Sequence, residues 1–217
     1  MSVIRYIIFN FLRMLFRFLS LIFYPRKIVH KERIPKNTKY VAAANHFHWV
    51  DIVYIYIRGP MRPFMVAKQE LQKTSRFLRV MYREANIIFV DRDNPSISSV
   101  KSILGVLKNN KSILFFAEGT RNKSGEGLLP TKPGAAIFAI KGNAPMLPLI
   151  VYKPAKMFRK NYLYVGEPFD MSEFYGKKLT EELTEEANQK MRAHMLKAQE
   201  DLRDYVENKR WKKKNRI

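Results

Sequence analysis

With 217 residues, 47% of them hydrophobic and 27% charged, the chain is long enough for one domain with a sizeable core and too apolar to be disordered. It has no cysteine, which excludes disulfides, thiol nucleophiles and cysteine metal sites and fits a reducing compartment. A balance of 40 Lys and Arg against 19 Asp and Glu gives a net charge of +21, and on charge alone nucleic acid, anionic lipid and acidic proteins all stay open as partners.

Met1 to Tyr24 is crowded with Ile, Leu and Phe but interrupted by Arg5, Arg13 and Arg17, so no uncharged piece reaches the roughly 20 residues a bilayer span needs. Arginines inside the apolar region, and the lack of a small-residue cleavage site before Pro25, argue against a signal peptide. On a helical wheel the arginines and Asn10 share one sector, while Ile4, Ile7, Ile8, Phe11, Leu15, Phe18 and Ile22 fill most of the rest. This pattern predicts an amphipathic helix lying in a membrane interface, with the arginines reaching toward headgroups; the bland alternative is a helix of the core. Residues 1–25 are therefore set apart as a membrane-associating segment.

Pro25 ends that helix, Arg26 to Lys31 reads as a short basic strand or linker, and Pro35 to Thr38 as a turn. Tyr40 to Ala44 is a buried strand. It runs into Asn45-His46-Phe47-His48-Trp49-Val50-Asp51, where a strand end turns into a helix start. Five residues apart on one helix, His46 and Asp51 would lie about 140° apart, so they meet only with His46 on the turn and Asp51 in the first helical turn. The carboxylate would then hold one imidazole nitrogen and leave the other free to take a proton, although by itself this spacing arises often by chance.

Gly59-Pro60 makes a break and Pro63 to Ala67 a second strand, with Lys68 directly after it. Ser75 to Glu84 has helical spacing, Asn86 to Val90 is a strand ending in Asp91-Arg92, and Ser96 to Lys108 is a helix with Val100, Ile103, Leu104 and Leu107 inward. Ser112 to Phe116 is a strand leading into Ala117-Glu118-Gly119-Thr120-Arg121. Gly125 to Gly127 reads as a mobile loop, Lys132 to Ile140 as a helix, and Met146 to Val151 as a strand that Pro148 assigns to an edge or a bulge. Tyr162 to Gly166 is a further strand. From Thr180, Leu183, Ala187, Met191, Met195, Ala198, Leu202 and Val206 mark a long amphipathic helix, and residues 209–217 form a basic tail.

Strands alternating with helices imply an α/β domain over residues 26–208, with a mixed, largely parallel central sheet flanked by helices and ligands collecting at strand ends. Lys68, Arg92 and Arg121 would then share one cleft with His46. Three cations near one His-Asp pair suit a phosphate-bearing substrate.

These residues resemble the PlsC-like glycerophospholipid acyltransferases in four ordered blocks between residues 38 and 150. The blocks are Asn45-His46 through Asp51, Ile88 to Arg92 with Lys68 upstream, Glu118-Gly119-Thr120-Arg121, and Ala144 to Leu149. His48 stands where the family commonly has Ser, and Ala117 where Pro is usual. The resemblance implies that His46 is the general base oriented by Asp51, that Arg92 and Arg121 with Lys68 grip the phosphate of 1-acylglycerol-3-phosphate, and that Glu118, Gly119 and Thr120 shape the pocket. It further implies an acyl thioester as donor, either acyl-CoA or an acyl carrier protein, phosphatidic acid as product, and no cofactor or metal. The expected partner surface is an anionic membrane, at its cytoplasmic face and held peripherally or monotopically through the N-terminal helix. Acylation of another lysophospholipid or of glycerol-3-phosphate, and a non-catalytic basic membrane- or nucleic-acid-binding protein, are the alternatives. Nucleic acid is disfavoured because no recognition motif is visible. A metal hydrolase fits poorly, since a His-x-His-x-Asp-His motif would need Asp at position 50 and His at 51.

Overall fold

The computed structural model describes residues 3–52, 55, 62–72, 86–91 and 96–214. Seven strands, β1 (Arg26–Val29), β2 (Val41–Ala44), β3 (Phe64–Lys68), β4 (Ile87–Val90), β5 (Ile113–Phe116), β6 (Met146–Val151) and β7 (Asn161–Val165), form one sheet in the order β1-β7-β6-β2-β5-β3-β4. The five neighbours from β6 to β4 run parallel, so their carboxyl ends share one edge of the sheet, while β7 pairs antiparallel with β6. Strand β2 lies near the centre and all four of its residues are buried. That is why its sequence is an unbroken apolar run rather than an alternation.

The helices are α1 (Val3–Phe23), a short turn α2 (Val50–Ile52), α3 (Ile97–Lys108), α4 (Gly134–Lys141) and α5 (Glu181–Lys214). One face of the sheet, carrying Val41, Ala43, Ile113, Met146 and Ile150, packs against α3, α4 and α5. Ser96 caps α3 by accepting the Ser99 N–H, and Ile103 and Leu107 are its fully buried residues. Along α5 the predicted stripe is buried from Ala187 to Val206, and each large apolar side chain there contributes about 1.5–3 kcal/mol. The opposite face carries Ala42, Ala44, Leu114, Phe116, Leu147 and Leu149, covered by Phe47 and Ile55. Helix α1 leaves Ile4, Ile7, Ile8, Phe11, Leu15, Phe18 and Ile22 exposed. Among the described residues no helix is long and apolar enough to cross a membrane.

The edge or bulge expected at Pro148 is a bulge: strand β6 is interior, between β2 and β7, and the chain after β7 carries one extra residue opposite Pro148. The Pro148 carbonyl accepts the Gly166 N–H at 2.9 Å, so the missing donor of Pro148 falls on the side where β7 has just ended. Pairing resumes one residue out of step at the Met146–Phe169 bridge. A Cβ on Gly166 would come within 2.9 Å of the Pro148 Cβ, so only glycine fits this close approach. The 125–127 loop is braced rather than loose: buried Asn122 donates to the Glu126 and Gly127 carbonyls and accepts from both Ser124 donors. Several predicted features lie outside the described residues. They are the 75–84 helix, the Gly59-Pro60 break, Arg92, and the side chains of Arg5, Arg13 and Arg17. In the 209–217 tail, α5 runs on to Lys214.

Candidate active site

Strand β2 ends at Ala44, and Asn45 fixes the turn beyond it. Its side chain donates to the Val151 carbonyl at 2.9 Å and accepts the Val151 N–H at 2.7 Å, with both groups buried. A primary amide is suited to this double contact because it presents a donor and an acceptor side by side. The turn after β2 is thereby clamped to the end of β6. On its other side the His46 carbonyl accepts the Asn122 N–H at 2.7 Å, tying the turn to the segment after β5.

Held between two neighbouring strands, His46 lies on the turn and Asp51 in the first turn of α2. His46 Nδ1 is 2.9 Å from Asp51 Oδ2, and the imidazole stacks on Phe116 with ring centroids 3.9 Å apart at 20°. Asp51 is fully buried, and the same Oδ2 also accepts the Phe47 and His48 N–H groups, each at 2.7 Å. Three donors on one oxygen fix the direction of the carboxylate. With Nδ1 donating to Asp51, Nε2 is the nitrogen left to accept a proton.

His48 now has a role that the sequence did not reveal. Its carbonyl accepts the Asp51 N–H at 2.9 Å and its Nδ1 accepts the Val50 N–H at 3.4 Å, while Asp51 reaches back to the His48 N–H. This is a variant of the capping box: His48 at the N-cap accepts from the second helical residue rather than the third, while the acid three residues on accepts the His48 N–H. Serine, the usual residue here in the resembling family, is among the best N-cap residues; the imidazole nitrogen takes over its acceptor function. The available signal was the three-residue step from His48 to Asp51, hidden because histidine is an uncommon cap.

Strand β5 brings in the second acid. Its exit turns sharply: the Gly119 N–H donates to the Phe116 carbonyl at 3.0 Å, and Gly119 sits at φ +68°, where a side chain would be strained. The turn swings Glu118 inward to accept the His46 N–H through Oε1 at 3.4 Å. Glu118 is only 3% exposed, and burial pushes its carboxyl up to about 7; the Asp51 charge adds to this, while the His46 N–H and Arg192 pull the other way. Glu118 Oε2 and Asp51 Oδ1 are buried with no hydrogen-bond partner among the described residues. Helix α5 supports the segment beyond this turn, through Arg192 on the Leu128 and Leu129 carbonyls and through the buried Thr131–Asn188 pair.

Of the other expected residues, Thr120 and Arg121 are exposed on the turn between Glu118 and Asn122, next to the His46 loop. Lys68 ends β3 at the same sheet edge, two strands or about 10 Å from β2. It is exposed, with its ammonium 2.8 Å from Glu70. Strand alternation sets Lys68 on the side of Val66, the helix-covered face, whereas His46 stacks on Phe116 of the other face. His46, Asp51 and Glu118 thus form one buried cluster, with Arg121 at its rim. Among the described residues no group of three or more His, Asp or Glu is placed to hold a metal ion.

Four likenesses to known proteins bear on this site. Residues 10–152 match the family model described as Acyltransferase. A 1-acyl-sn-glycerol-3-phosphate acyltransferase of Bacillus subtilis is 29% identical over 175 residues, covering 76% of this chain and 86% of that protein. One from Cocos nucifera is 36% identical over 132 residues, which is 59% of this chain but only 42% of the longer relative. In fold, the chain resembles the crystal structure of the 1-acyl-sn-glycerophosphate acyltransferase PlsC from Thermotoga maritima. That match has a TM-score of 0.67 at 22% identity and covers 94% of this chain and 84% of the other.

Proposed function

The chain belongs to the acyltransferase family, and on that premise we propose that it moves a fatty acyl group from a thioester to the free hydroxyl of 1-acylglycerol-3-phosphate, giving phosphatidic acid. The observation that carries this reading is the His46–Asp51 pair: a buried carboxylate holds Nδ1 at 2.9 Å and leaves Nε2 with no hydrogen-bond partner among the described residues. His46 Nε2 takes the hydroxyl proton as the oxygen attacks the thioester carbonyl. The resulting tetrahedral species collapses, the C–S bond breaks, and the imidazolium returns the proton to the departing thiolate. Asp51 holds the tautomer that makes this possible and offsets the charge of the imidazolium. No covalent acyl-enzyme is needed in this sequence of steps.

Arg121, exposed beside the Glu118 turn, is assigned to the acceptor's phosphate, with Arg92 assisting, whereas Lys68, which alternation sets on the other face of the sheet from His46, is dropped from this role; a guanidinium suits a phosphate because it can donate two parallel hydrogen bonds. Gly119 and Thr120 shape that end of the pocket. The exposed apolar side chains of α1 suit an anionic membrane surface, where a lysophospholipid acceptor resides.

The test is acyl transfer by the purified protein to a panel of lysophospholipids and glycerol-3-phosphate, with acyl-CoA and acyl carrier protein donors in parallel. 1-Acylglycerol-3-phosphate is expected to be the preferred acceptor, and His46→Ala to abolish turnover with the fold retained by circular dichroism. Near-normal turnover in a folded His46→Ala variant would sink the mechanism.

A further inference from the structure

We propose that the loop joining β6 to β7, residues 152–160, is a second membrane-docking element, which seats the site edge of the sheet on an anionic bilayer. The inference rests on the reading of α1 as an interfacial helix. At the loop tip Phe158 is 65% exposed and Met157 is 48% exposed. Phe158 also sits at φ +54°, a conformation that a bulky L-residue rarely adopts. A turn made only for solvent would carry Gly or Asn there.

The loop is held in one shape. Buried Asn161 accepts the Lys156 N–H and donates to the carbonyls of Lys156, Arg159 and Pro25. The tip is joined to the end of α1: the Phe158 N–H donates to the Phe23 carbonyl at 2.7 Å, and the two rings lie 5.5 Å apart. Exposed Phe18, Leu19, Leu21 and Ile22 bring the apolar surface of α1 up to this junction. Around the tip, Lys153, Lys156, Arg159 and Lys160 are all exposed, and the loop contains no acid. An aromatic and a thioether within a collar of cations match a bilayer of anionic lipid, whose acyl region takes the rings and whose phosphates take the charges.

The base of the loop reaches the site. Ala155 and Tyr24 pack on Val50, the buried residue preceding Asp51, and Asn45 grips Val151 where β6 ends. The loop that carries Met157 and Phe158 thus packs, through Ala155, on the residue beside Asp51.

Full-length Phe158→Trp, read as a difference against wild-type to remove Trp49 and Trp211, is mixed with phosphatidylcholine–phosphatidylglycerol vesicles containing brominated chains. The added tryptophan is expected to shift blue and to be quenched. The double variant Met157→Ser/Phe158→Asn is expected to bind these vesicles about tenfold more weakly in flotation, as the loss of one buried aromatic implies. Its unfolding midpoint should stay equal or rise, because Asn accepts the left-handed conformation. Its turnover of detergent-dispersed acceptor should be unchanged. If the Phe158→Trp variant floats but its added indole is not quenched, the loop's role is overturned and the reading of α1 stands, whereas a wild-type protein that does not float overturns both. Binding indifferent to phosphatidylglycerol content removes the cationic collar from the proposal. If the double variant unfolds, the quench measurement decides alone.

Discussion

Replacing Glu118 by Gln isolates the energetic consequence of burying an acid beside Asp51. In the folded protein the Glu118 carboxyl holds its proton up to about 7, against an ordinary value of 4.5. Between those values the folded state binds a proton that the unfolded state has released, so stability contributed by this group falls as the pH rises through the window. The interval of about 2.5 pH units corresponds to about 3 kcal/mol, fully present below pH 4.5 and fully lost above pH 7. Gln has nearly the shape of the protonated carboxyl and does not titrate. The variant should therefore match wild-type near pH 4.5 and gain on it steadily, to about 3 kcal/mol at pH 8. Urea denaturation of both proteins at half-unit steps of pH measures the difference directly. A difference that stays flat from pH 4.5 to 8 refutes the reasoning, because it would mean that Glu118 is ionised or solvated in the folded state.

Three further predictions concern the same site. Asn45→Ala removes two buried contacts to Val151 and leaves a backbone N–H and C=O unmatched; it should lower stability by about 2–4 kcal/mol and cut kcat, seen by denaturation and steady-state kinetics. Arg121→Ala, an exposed change, should leave the unfolding midpoint within about a degree and raise the KM for the phosphate-bearing acceptor more than that for the acyl donor. Gly119→Ala puts a Cβ 3.1 Å from Lys132 Cγ at φ +68° and should cost about 1–2 kcal/mol. Its effect on turnover should exceed that of an equally destabilising change in α5, since it shifts the Glu118 turn.

Much of the fold is legible in the sequence because its signals are local. Tyr40 to Ala44 reads as a buried strand from an apolar run, and α5 reads from contacts repeating at three and four residues; both depend only on neighbours along the chain. Pro148 leaves a choice open for the same reason. A strand containing proline reads as an edge or a bulge, and only the point at which β7 stops shows that it is a bulge and why an interior position tolerates it. The His46–Asp51 spacing likewise set a geometric condition, a turn followed by a first helical turn, that residue order alone can state.

Which of these residues stand together is a matter of tertiary packing. Asn45 meets Val151 across 106 positions, and Glu118 meets the His46 N–H across 72. Neither contact has a periodicity to announce it, and each exists because parallel pairing sets the ends of β2, β5 and β6 side by side. The ionisation of Glu118 is settled at this level too, because it follows from burial and from the nearby Asp51 charge rather than from residue type. Residue order was enough for the elements, the acid and base candidates and the excess of positive charge. Packing established that His46 has one nitrogen without a hydrogen-bond partner among the described residues, that His48 caps a helix, and that Lys68 and Arg121 stand at different places on the sheet edge. Secondary structure depends on the chain's own next few residues, while a site is a meeting of strand ends far apart in sequence.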